Sequence, residues 1–237
     1  MAIITDTDRL YLREFTLKDT NALYEMNSNP EVLQYTGDAP FKDTFEARKF
    51  IEDYDHYQKY DMGRWAVCLK NNDEVLGWCG LKFHPDDKSV DVGYRFLRKH
   101  WDKGYATEAA LASIKYGFKT LRLKEIVAHV HIDNRVSHKV AIKSGMHYVK
   151  DFVYDDQPAK LYHITNPYYN LKLISAKETY PVRHPVLRKG MPIESCAFDG
   201  DELKTTVHLG LFFEHHLIGV VSLLKKTNES FEETKQY

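Results

Sequence analysis

The spacing of hydrophobic residues changes several times along the chain and predicts a succession of strands and helices. Residues 10–15 alternate apolar and polar side chains, as a half-buried strand does. Helical spacing follows from Thr16 to just before Pro30, and again from Thr44 to about Tyr60. Two apolar runs, residues 65–69 and 75–81, flank an Asn-Asn-Asp turn and predict a β-hairpin.

The pattern continues with a strand at residues 89–97 and a helix from residue 106 to about residue 121. A strand at 125–132 and a short helix at 134–144 follow, and Gly145 suits the left-handed position that ends many helices. Residues 146–154 and 160–165 then predict a closing pair of strands. This order of elements is typical of an α+β or α/β domain with a mixed sheet.

Beyond Pro167 the pattern changes, and an internal repeat is indicated. Residues 207–211 and 217–223 follow residues 65–69 and 75–81 at one common separation, and residues 171–175 resemble the first strand. We therefore predict a first domain at residues 1–168 and a small, incomplete, β-rich second unit at residues 169–237. The alternative is that two short β-hairpins match by coincidence.

Composition and charge exclude several classes of protein. The 237 residues are 43% hydrophobic and 28% charged, and the net charge of −1 leaves no electrostatic footprint for nucleic acid. No signal peptide and no apolar run of membrane-spanning length is evident, so we expect a cytoplasmic protein without membrane partners. The three cysteines, Cys68, Cys79 and Cys196, lack metal-ligand spacing, and so do the twelve histidines. We therefore predict neither a disulfide framework nor a metal site.

The best candidate for a functional site is the place where the strand at 89–97 passes through a short basic turn directly into a helix. The first backbone N–H groups of a helix lack internal partners and attract phosphate. Gly104 and Ala106 would let a phosphate approach the backbone, and Lys103 adds a cation. The alternative is an ordinary strand-to-helix turn in which Thr107 helps to cap the helix. The spacing of a Walker A loop is absent.

This turn resembles a known motif. The run W-D-K-G-Y-A-T-E-A at residues 101–109 is similar to the acetyl-CoA pyrophosphate loop of GNAT enzymes, in the form W-G-K-G-Y-A-T-E-A common in the RimJ/RimL-like branch. Only Asp102 differs, and Trp101 occupies the Q/R place of the general motif. Downstream, N-R-V-S at 134–137 and K-S-G-M at 143–146 resemble the family pattern N-x-x-S…K-x-G-F, with Met146 in place of Phe.

The resemblance covers about residues 9–169 and implies a GNAT N-acetyltransferase. Its fold would be a central mixed, mostly antiparallel twisted sheet with helices on both faces. Acetyl-CoA would be the co-substrate, without a metal, and a primary amine would attack it directly in a ternary complex. The cofactor-binding residues implied are Phe96, Leu97, Arg98, Trp101, Lys103, Gly104, Tyr105, Ala106, Thr107, Asn134 and Ser137. For Asn134 a plain helix N-cap is the alternative, and for Ser137 a locally satisfied serine.

Catalytic roles follow from the same resemblance. Asp91 occupies the place of a glutamate proposed as base in relatives, and burial would have to raise its pKa for that role. Its alternative is a solvent-facing strand residue. Ser137 is the candidate acid, with Tyr148 as the second candidate. Backbone N–H groups near Phe96 and Leu97 would polarise the thioester carbonyl.

The acceptor amine is implied only as a class, either a protein N-terminus or a small molecule. Acidic segments at residues 52–55 and 155–156 could attract a cationic amine, or could simply be solvated. Two other functions are a catalytically silent acyl-CoA-binding or assembly module and an ATP-binding protein. The second unit lacks a glycine-led phosphate loop, so we expect it to bind no CoA. Its open sheet edge predicts packing on the first domain or a homodimer.

Overall fold

The computed structural model describes residues 2–225 and divides the chain into two compact units, residues 1–166 and 167–237. The division falls close to the boundary predicted after residue 168. The predicted second domain extends to residue 237, and its part beyond residue 225 lies outside the described residues. Within residues 2–225, no helix combines the length and the apolar character needed to cross a membrane.

The first unit is built on a mixed eight-stranded sheet, ordered β1-β2-β3-β4-β5-β6-β8-β7. All neighbouring strands run antiparallel except β5 and β6, which are parallel. The predicted fold class is therefore confirmed for this unit. The strands are β1 (Ile3–Asp6), β2 (Leu10–Arg13), β3 (Arg64–Leu69), β4 (Val75–Phe83), β5 (Val90–Phe96), β6 (Glu125–His131), β7 (His147–Tyr154) and β8 (Gln157–Thr165).

Helices cover both faces of this sheet. On one face, Trp78 of β4 packs against a cluster formed by Leu23, Met26 and Val32. On the other face, Trp65 of β3 meets Tyr116 edge-on at 5.4 Å. The helices are α1 (Thr20–Ser28), α2 (Pro30–Leu33) and α3 (Thr44–Glu52) on the Trp78 side, and then α4 (His56–Tyr60), α5 (Tyr105–Lys119) and α6 (Arg135–Lys143) later in the chain.

The structure differs from the predicted elements in several places, among them the short helix α2, which was not predicted. Strand β1 was not predicted, because its four residues carry no alternating apolar pattern that a sheet edge would require. The single helix predicted from Thr44 to Tyr60 is two helices, α3 and α4. The break lets Tyr54 and Tyr57 reach one strand: Tyr54 accepts the Arg64 N–H at 2.7 Å, and Tyr57 donates to the Arg64 carbonyl.

A buried ion pair joins the end of β2 to the first helical turn. Arg13 donates to both carboxylate oxygens of Asp19 at 2.7 Å, and the Asp19 side chain is only 2% exposed. Asp19 also accepts the N–H of Thr16 and so closes a capping box at the start of the 3₁₀ turn Leu17–Asp19. The pair therefore fixes where the chain leaves the sheet and turns into α1.

Up to residue 225, the second unit is a three-stranded antiparallel sheet with one helix of more than a single turn. It contains β9 (Tyr169–Ile174), α7 (Tyr180–Leu187), β10 (Val207–Phe213) and β11 (His216–Leu223), and the strand order is β11-β10-β9. The strands predicted at residues 171–175, 207–211 and 217–223 are confirmed. A buried ion pair between Arg183 of α7 and Asp201 holds the helix against a loop of the same unit.

The two hairpins differ in strand pairing although their sequences are separated by one common distance. In the first hairpin Val67 pairs with Gly77, so the common separation would pair Leu209 with Gly219. In the structure Gly219 pairs with Leu211. The pairing is displaced by two positions because Glu214 and His215 form a tight turn, whereas a longer loop joins β3 to β4. A displacement of two keeps each side chain on its face of the sheet.

We expect the substitution Arg13→Met to lower the free energy of unfolding of the first unit by about 3 kcal/mol or more, because Asp19 would stay buried without its partner. Urea unfolding followed by tryptophan fluorescence measures this unit alone, since Trp65, Trp78 and Trp101 all belong to it. The matched control is Lys70→Met, which breaks an exposed pair with Asp6 and should cost less than about 1 kcal/mol. Equal effects of the two substitutions would contradict the structural role of the buried pair.

Candidate active site

The two parallel strands at the centre of the sheet diverge and open a cavity between them. Strands β5 and β6 share one register pair, Asp91 with Val127, and separate towards their carboxyl ends. A cavity of about 230 Å³ lies in the gap. Its lining includes Asp91 and His129 from one face of the sheet and Tyr94 from the other, because successive strand residues point to opposite faces. The cavity therefore passes through the sheet.

At one end of this cavity, β5 leads through the basic turn into α5. Gly104 has φ +80°, a left-handed conformation that favours glycine, and α5 begins at the next residue. No side chain caps the helix, so the alternative capping role of Thr107 is not realised. The first-turn N–H groups of Tyr105, Ala106 and Thr107 are thus left to an external acceptor such as a phosphate. Ala110, in the second turn of α5, lines the cavity and links the turn to it.

Asp102, the one departure from the RimJ/RimL-like motif, has a backbone reason. It adopts φ +59°, again the left-handed region, which glycine enters freely and aspartate tolerates better than most residues. The local conformation that the motif's glycine would supply is therefore retained at this position.

The remaining predicted loop residues are held mainly by contacts within the protein. The indole N–H of Trp101 donates to the Phe96 carbonyl at 2.9 Å, which ties the end of the loop back to β5. Arg98 stacks over the Trp101 ring and donates to Glu31 at 2.7 Å. Trp101 and Arg98 therefore shape the loop. The carbonyl of Lys103 accepts a hydrogen bond at 3.1 Å, from a residue that the sequence analysis did not include, Arg9.

Arg9 braces the loop from outside the motif. Besides contacting Lys103, its guanidinium lies over the Tyr105 ring at 4.6 Å and pairs with Glu108 in the first turn of α5. Glu108 also accepts the hydroxyl of Thr7 at 2.6 Å. The glutamate of the sequence motif thus fixes the start of the helix against the N-terminal strands, and no local pattern could have indicated its partner a hundred positions away.

Two backbone N–H groups, those of Phe96 and Leu97, were predicted to polarise the thioester carbonyl. Only one of them faces the gap between β5 and β6. The N–H of Leu97 donates to the Leu76 carbonyl at 2.9 Å, so it is committed to the sheet and the expectation for Leu97 is wrong. N–H groups alternate between the two sides of a strand. The N–H of Phe96 therefore points the other way, towards the gap beside β6, and so does that of Tyr94. Phe96 remains the candidate donor.

Asn134 and Ser137 lie together at the start of α6, on the wall of the cavity. The side chain of Asn134 accepts the N–H of Ser137 at 3.0 Å, so its N-cap role is realised. The Ser137 hydroxyl neighbours Tyr94, a residue that sequence reasoning missed. Burial raises the pKa of the Tyr94 hydroxyl, and Ser137 opposes this shift. Two hydroxyl groups therefore flank the cavity at this end.

Tyr148, the second candidate acid, lies elsewhere. Its side chain is 53% exposed on β7, outside the cavity lining, and its hydroxyl donates to Asp151 at 3.0 Å. Hydrogen bonding to Asp151 raises the pKa of Tyr148, which opposes proton donation further. The structure thus does not bring Tyr148 to Ser137, and the expectation for Tyr148 is wrong.

Asp91 is a buried carboxylate on the cavity wall. It accepts hydrogen bonds from Arg64 at 2.6 Å and from His84 at 2.7 Å. Burial alone would raise the pKa of Asp91, but Arg64 and His84 outweigh it and hold the pKa at about 2. The alternative of a solvent-facing residue is excluded, since Asp91 is 6% exposed. The pKa of Asp91 is therefore lowered, whereas a catalytic base would need a raised pKa.

The partners of Asp91 were also missed by sequence reasoning. Arg64 lies on β3 and reaches Asp91 across β4, donating to the Gly80 carbonyl on the way, and the absence of a side chain at Gly93 of β5 makes room for its guanidinium. Opposite charges on strands of one predicted sheet were the only available signal. Within residues 2–225, no group of three or more histidine, cysteine, aspartate or glutamate side chains is arranged to hold a metal ion.

A through-sheet cavity beside an uncapped helix N-terminus is the architecture of acyltransferases that bind acyl-CoA in the gap between two strands. The family model of the acetyltransferase (GNAT) domain matches residues 9–147, more than half of the chain. The N-acetyltransferase p20 of Bacillus licheniformis, itself described as uncharacterized, is 36% identical over 136 residues, which are 56% of this chain and 76% of that protein.

Solved structures give the same result. A GNAT-family acetyltransferase from Bacillus anthracis is 27% identical, with a TM-score of 0.59 over 68% of this chain and 98% of that one. An acetyltransferase from Agrobacterium tumefaciens is 26% identical, with a TM-score of 0.60 over 69% and 95% of the two chains. The chain belongs to the GNAT acetyltransferase family. It is an acetyl-CoA-dependent N-acetyltransferase.

We expect Gly104→Glu to abolish acetyl-CoA binding, because it places bulk and negative charge where the phosphates bind. Thermal melting measures this: a ligand at about 100 times its Kd stabilises the native state by about 2.7 kcal/mol. The matched control is Gly190→Glu in the second unit, a glycine at φ +83° with open space around it. The control carries the same backbone strain and should keep the full shift with acetyl-CoA. An undiminished shift in Gly104→Glu would show that the phosphates bind elsewhere.

Proposed function

We propose that this protein acetylates a primary amine that enters the through-sheet cavity from the side of His129 and Asp155, while acetyl-CoA enters from the side of Ser137. The observation that carries this proposal is that one cavity is lined from both faces of the sheet. A donor thioester and an acceptor amine can then meet in the gap between β5 and β6. Direct transfer in one complex needs such a shared space.

The donor side would hold acetyl-CoA through backbone and side-chain groups in sequence along the cavity. The N–H groups of residues 105–107 bind the pyrophosphate, and Lys103 adds a positive charge. Asn134 lies beside the pantetheine arm. The N–H of Phe96 polarises the acetyl carbonyl, and the hydroxyl of Ser137 donates to the departing thiolate. Tyr94, next to Ser137, keeps this end of the cavity polar.

A covalent acyl-enzyme has little support from the cysteines. Cys68, Cys79 and Cys196 are buried, and none belongs to the cavity lining. Burial raises the pKa of Cys68, and that of Cys79 to about 12, so their thiols stay protonated at neutral pH. Direct attack by the amine is the simpler course.

The acceptor side suits a cationic amine. Asp155 lines the mouth of the cavity, and Tyr35 and Tyr154 supply aromatic faces beside it. A carboxylate with aromatic rings attracts an ammonium group by charge and by cation–π contact. Both a small polyamine and a protein N-terminus present such a group, and the two differ in size and not in the reacting atom.

We further propose that the chain belongs to the RimJ/RimL-like branch and that residues 167–225 are the front part of a second GNAT-like unit. The motif at residues 101–109 supports the branch. For the second unit, support comes from a matching start: in the run S-A-K-E-T, Ser175 and Glu178 form a capping box, as Thr16 and Asp19 do in T-L-K-D-T. In both units the strand is followed by a 3₁₀ turn, a helix and a hairpin.

The proposed function is tested by incubating the protein with acetyl-CoA and a panel of polyamines, aminoglycosides and peptides with free N-termini, and measuring the CoA thiol released. We expect thiol release that requires an amine, with the acetylated amine identified by mass spectrometry. Stabilisation by acetyl-CoA without transfer to any of these amines would favour the catalytically silent module.

We expect Ser137→Ala to lower kcat roughly 10- to 100-fold, since it removes one hydrogen bond to a charged leaving group, worth about 1.5–3 kcal/mol. The KM for acetyl-CoA should change much less, because the pyrophosphate contacts remain. Steady-state kinetics on the best amine of the panel measures both quantities. An unchanged kcat would remove Ser137 from the acid role.

If the second unit lacks a CoA site, isothermal titration calorimetry should give one CoA per chain. Gly104→Glu should then lose all binding, and Gly190→Glu should keep a stoichiometry of one. Two sites per chain, or residual stoichiometric binding in Gly104→Glu, would show that residues outside the first unit bind CoA.

A further inference from the structure

Two imidazoles project from β6 into the acceptor side of the cavity. His129 and His131 are two residues apart on one strand, so their side chains share a face of the sheet. Asp91 lies on the same face of the neighbouring strand. Because its pKa of about 2 leaves Asp91 ionised and weakly basic at neutral pH, the cavity needs another proton acceptor.

The hydrogen bonds in the structure distinguish His131 and His84 from His129. His131 is engaged: its Nδ1 accepts the N–H of Asp133 at 3.2 Å, and its ring lies 5.1 Å from that of Tyr35. His84, behind Asp91, is engaged as well, since its Nε2 bonds to the carboxylate. His131 cannot take a proton at Nδ1 without losing the hydrogen bond from Asp133, and Nε2 of His84 already carries the proton that it donates to the ionised Asp91.

His129 has no such commitment. Its Nδ1 is buried and has no hydrogen-bond partner among the described residues, an arrangement that costs free energy unless a ligand uses it. Its ring is held by stacking on Tyr154 at a centroid distance of 4.2 Å and by an edge contact with Phe152 at 5.4 Å. A fixed, half-buried ring with one unused nitrogen is thus part of the cavity wall.

Given the acetyl transfer proposed above, we propose that His129 is the catalytic base that takes the proton from the acceptor amine. The ammonium N–H proton passes to the imidazole, and the free amine attacks the acetyl carbonyl. A C–N bond forms and the C–S bond breaks; the nitrogen loses its second proton as the amide forms, the departing thiolate takes up one proton through Ser137, and the imidazolium later releases the first proton to solvent. The products are the amide and CoA, and charge and atoms balance.

The charges around His129 suit this role. Burial, and to a smaller extent His84 and Arg64, lower the pKa of His129, while Asp91 and Asp87 raise it. The net shift is downward, so the ring is neutral at pH 7 and can accept a proton. Asp91, which stays ionised, then lies near the imidazolium that forms and stabilises it. Asp91 is on this account a positioning residue and not the base.

The test compares His129→Gln with a matched control, His163→Gln, which replaces a partly exposed histidine of the same sheet that pairs with Glu125 outside the cavity. General-base catalysis contributes about 10²–10⁴-fold, so His129→Gln should lower kcat by roughly 100-fold or more. The wild-type kcat should rise with pH through a midpoint below 6.5, and this limb should vanish in His129→Gln. The melting shift with acetyl-CoA should persist in both variants.

A pH limb that survives unchanged in His129→Gln overturns the inference while leaving the acetyl transfer itself intact. A second measurement is independent of any acceptor: NMR titration of ¹³C-histidine-labelled enzyme with acetyl-CoA bound, with the His129 signal assigned by its loss in His129→Gln. Titration below the ordinary histidine pKa of about 6.5 supports the proposal. A His129 pKa above 7 overturns it, since the ring would be largely protonated at neutral pH.

Discussion

The divergence of β5 and β6 is the constraint on which the rest of the site depends. The two strands are the only parallel neighbours in the first unit's described sheet, and they pair at a single position before separating. A sheet that stayed closed would satisfy every backbone group and leave no space for a ligand. By opening, it leaves the N–H groups of Tyr94 and Phe96 facing the gap. It also connects the loop before α5 with the histidines on the opposite face.

Around this gap, buried charges are arranged in pairs that set which groups can carry protons. Arg64 neutralises Asp91, and the glycine at position 93 makes room for its guanidinium. The carboxylate is thereby made a permanent anion and a poor base. An unpaired imidazole, kept neutral by its burial, is the better acceptor beside it. The pKa of both groups is lowered, that of Asp91 by nearby charges that outweigh its burial and that of His129 by burial, so both are deprotonated at neutral pH, Asp91 as an anion beside Arg64 and His129 as a neutral ring.

The second unit shows how much of this architecture depends on the elements that follow the hairpin. Its described part contains a strand, a capped 3₁₀ turn, a helix and a hairpin, and β2 of the first unit is likewise followed by a capped 3₁₀ turn and a helix. The loop and helix that would bind phosphate have no counterpart among the described residues. On β9, Leu171 and Leu173 remain mostly exposed, at 59% and 75%. By contrast, helices cover both faces of the sheet in the first unit.

Local sequence determined the elements and the phosphate loop, because periodicity and turn chemistry act over a few residues. The alternation at residues 10–15, the helix after Gly104 and the N-cap at Asn134 were all legible in this way, and Gly104 and Asp102 took the conformations that their residue types suit. The tertiary structure alone decided which distant groups meet. It joined Arg9 to Glu108 and Arg64 to Asp91, committed the Leu97 N–H to Leu76 and placed Tyr148 outside the cavity. Pairing across a sheet follows from register and burial over long separations, and these quantities leave no mark on a local pattern.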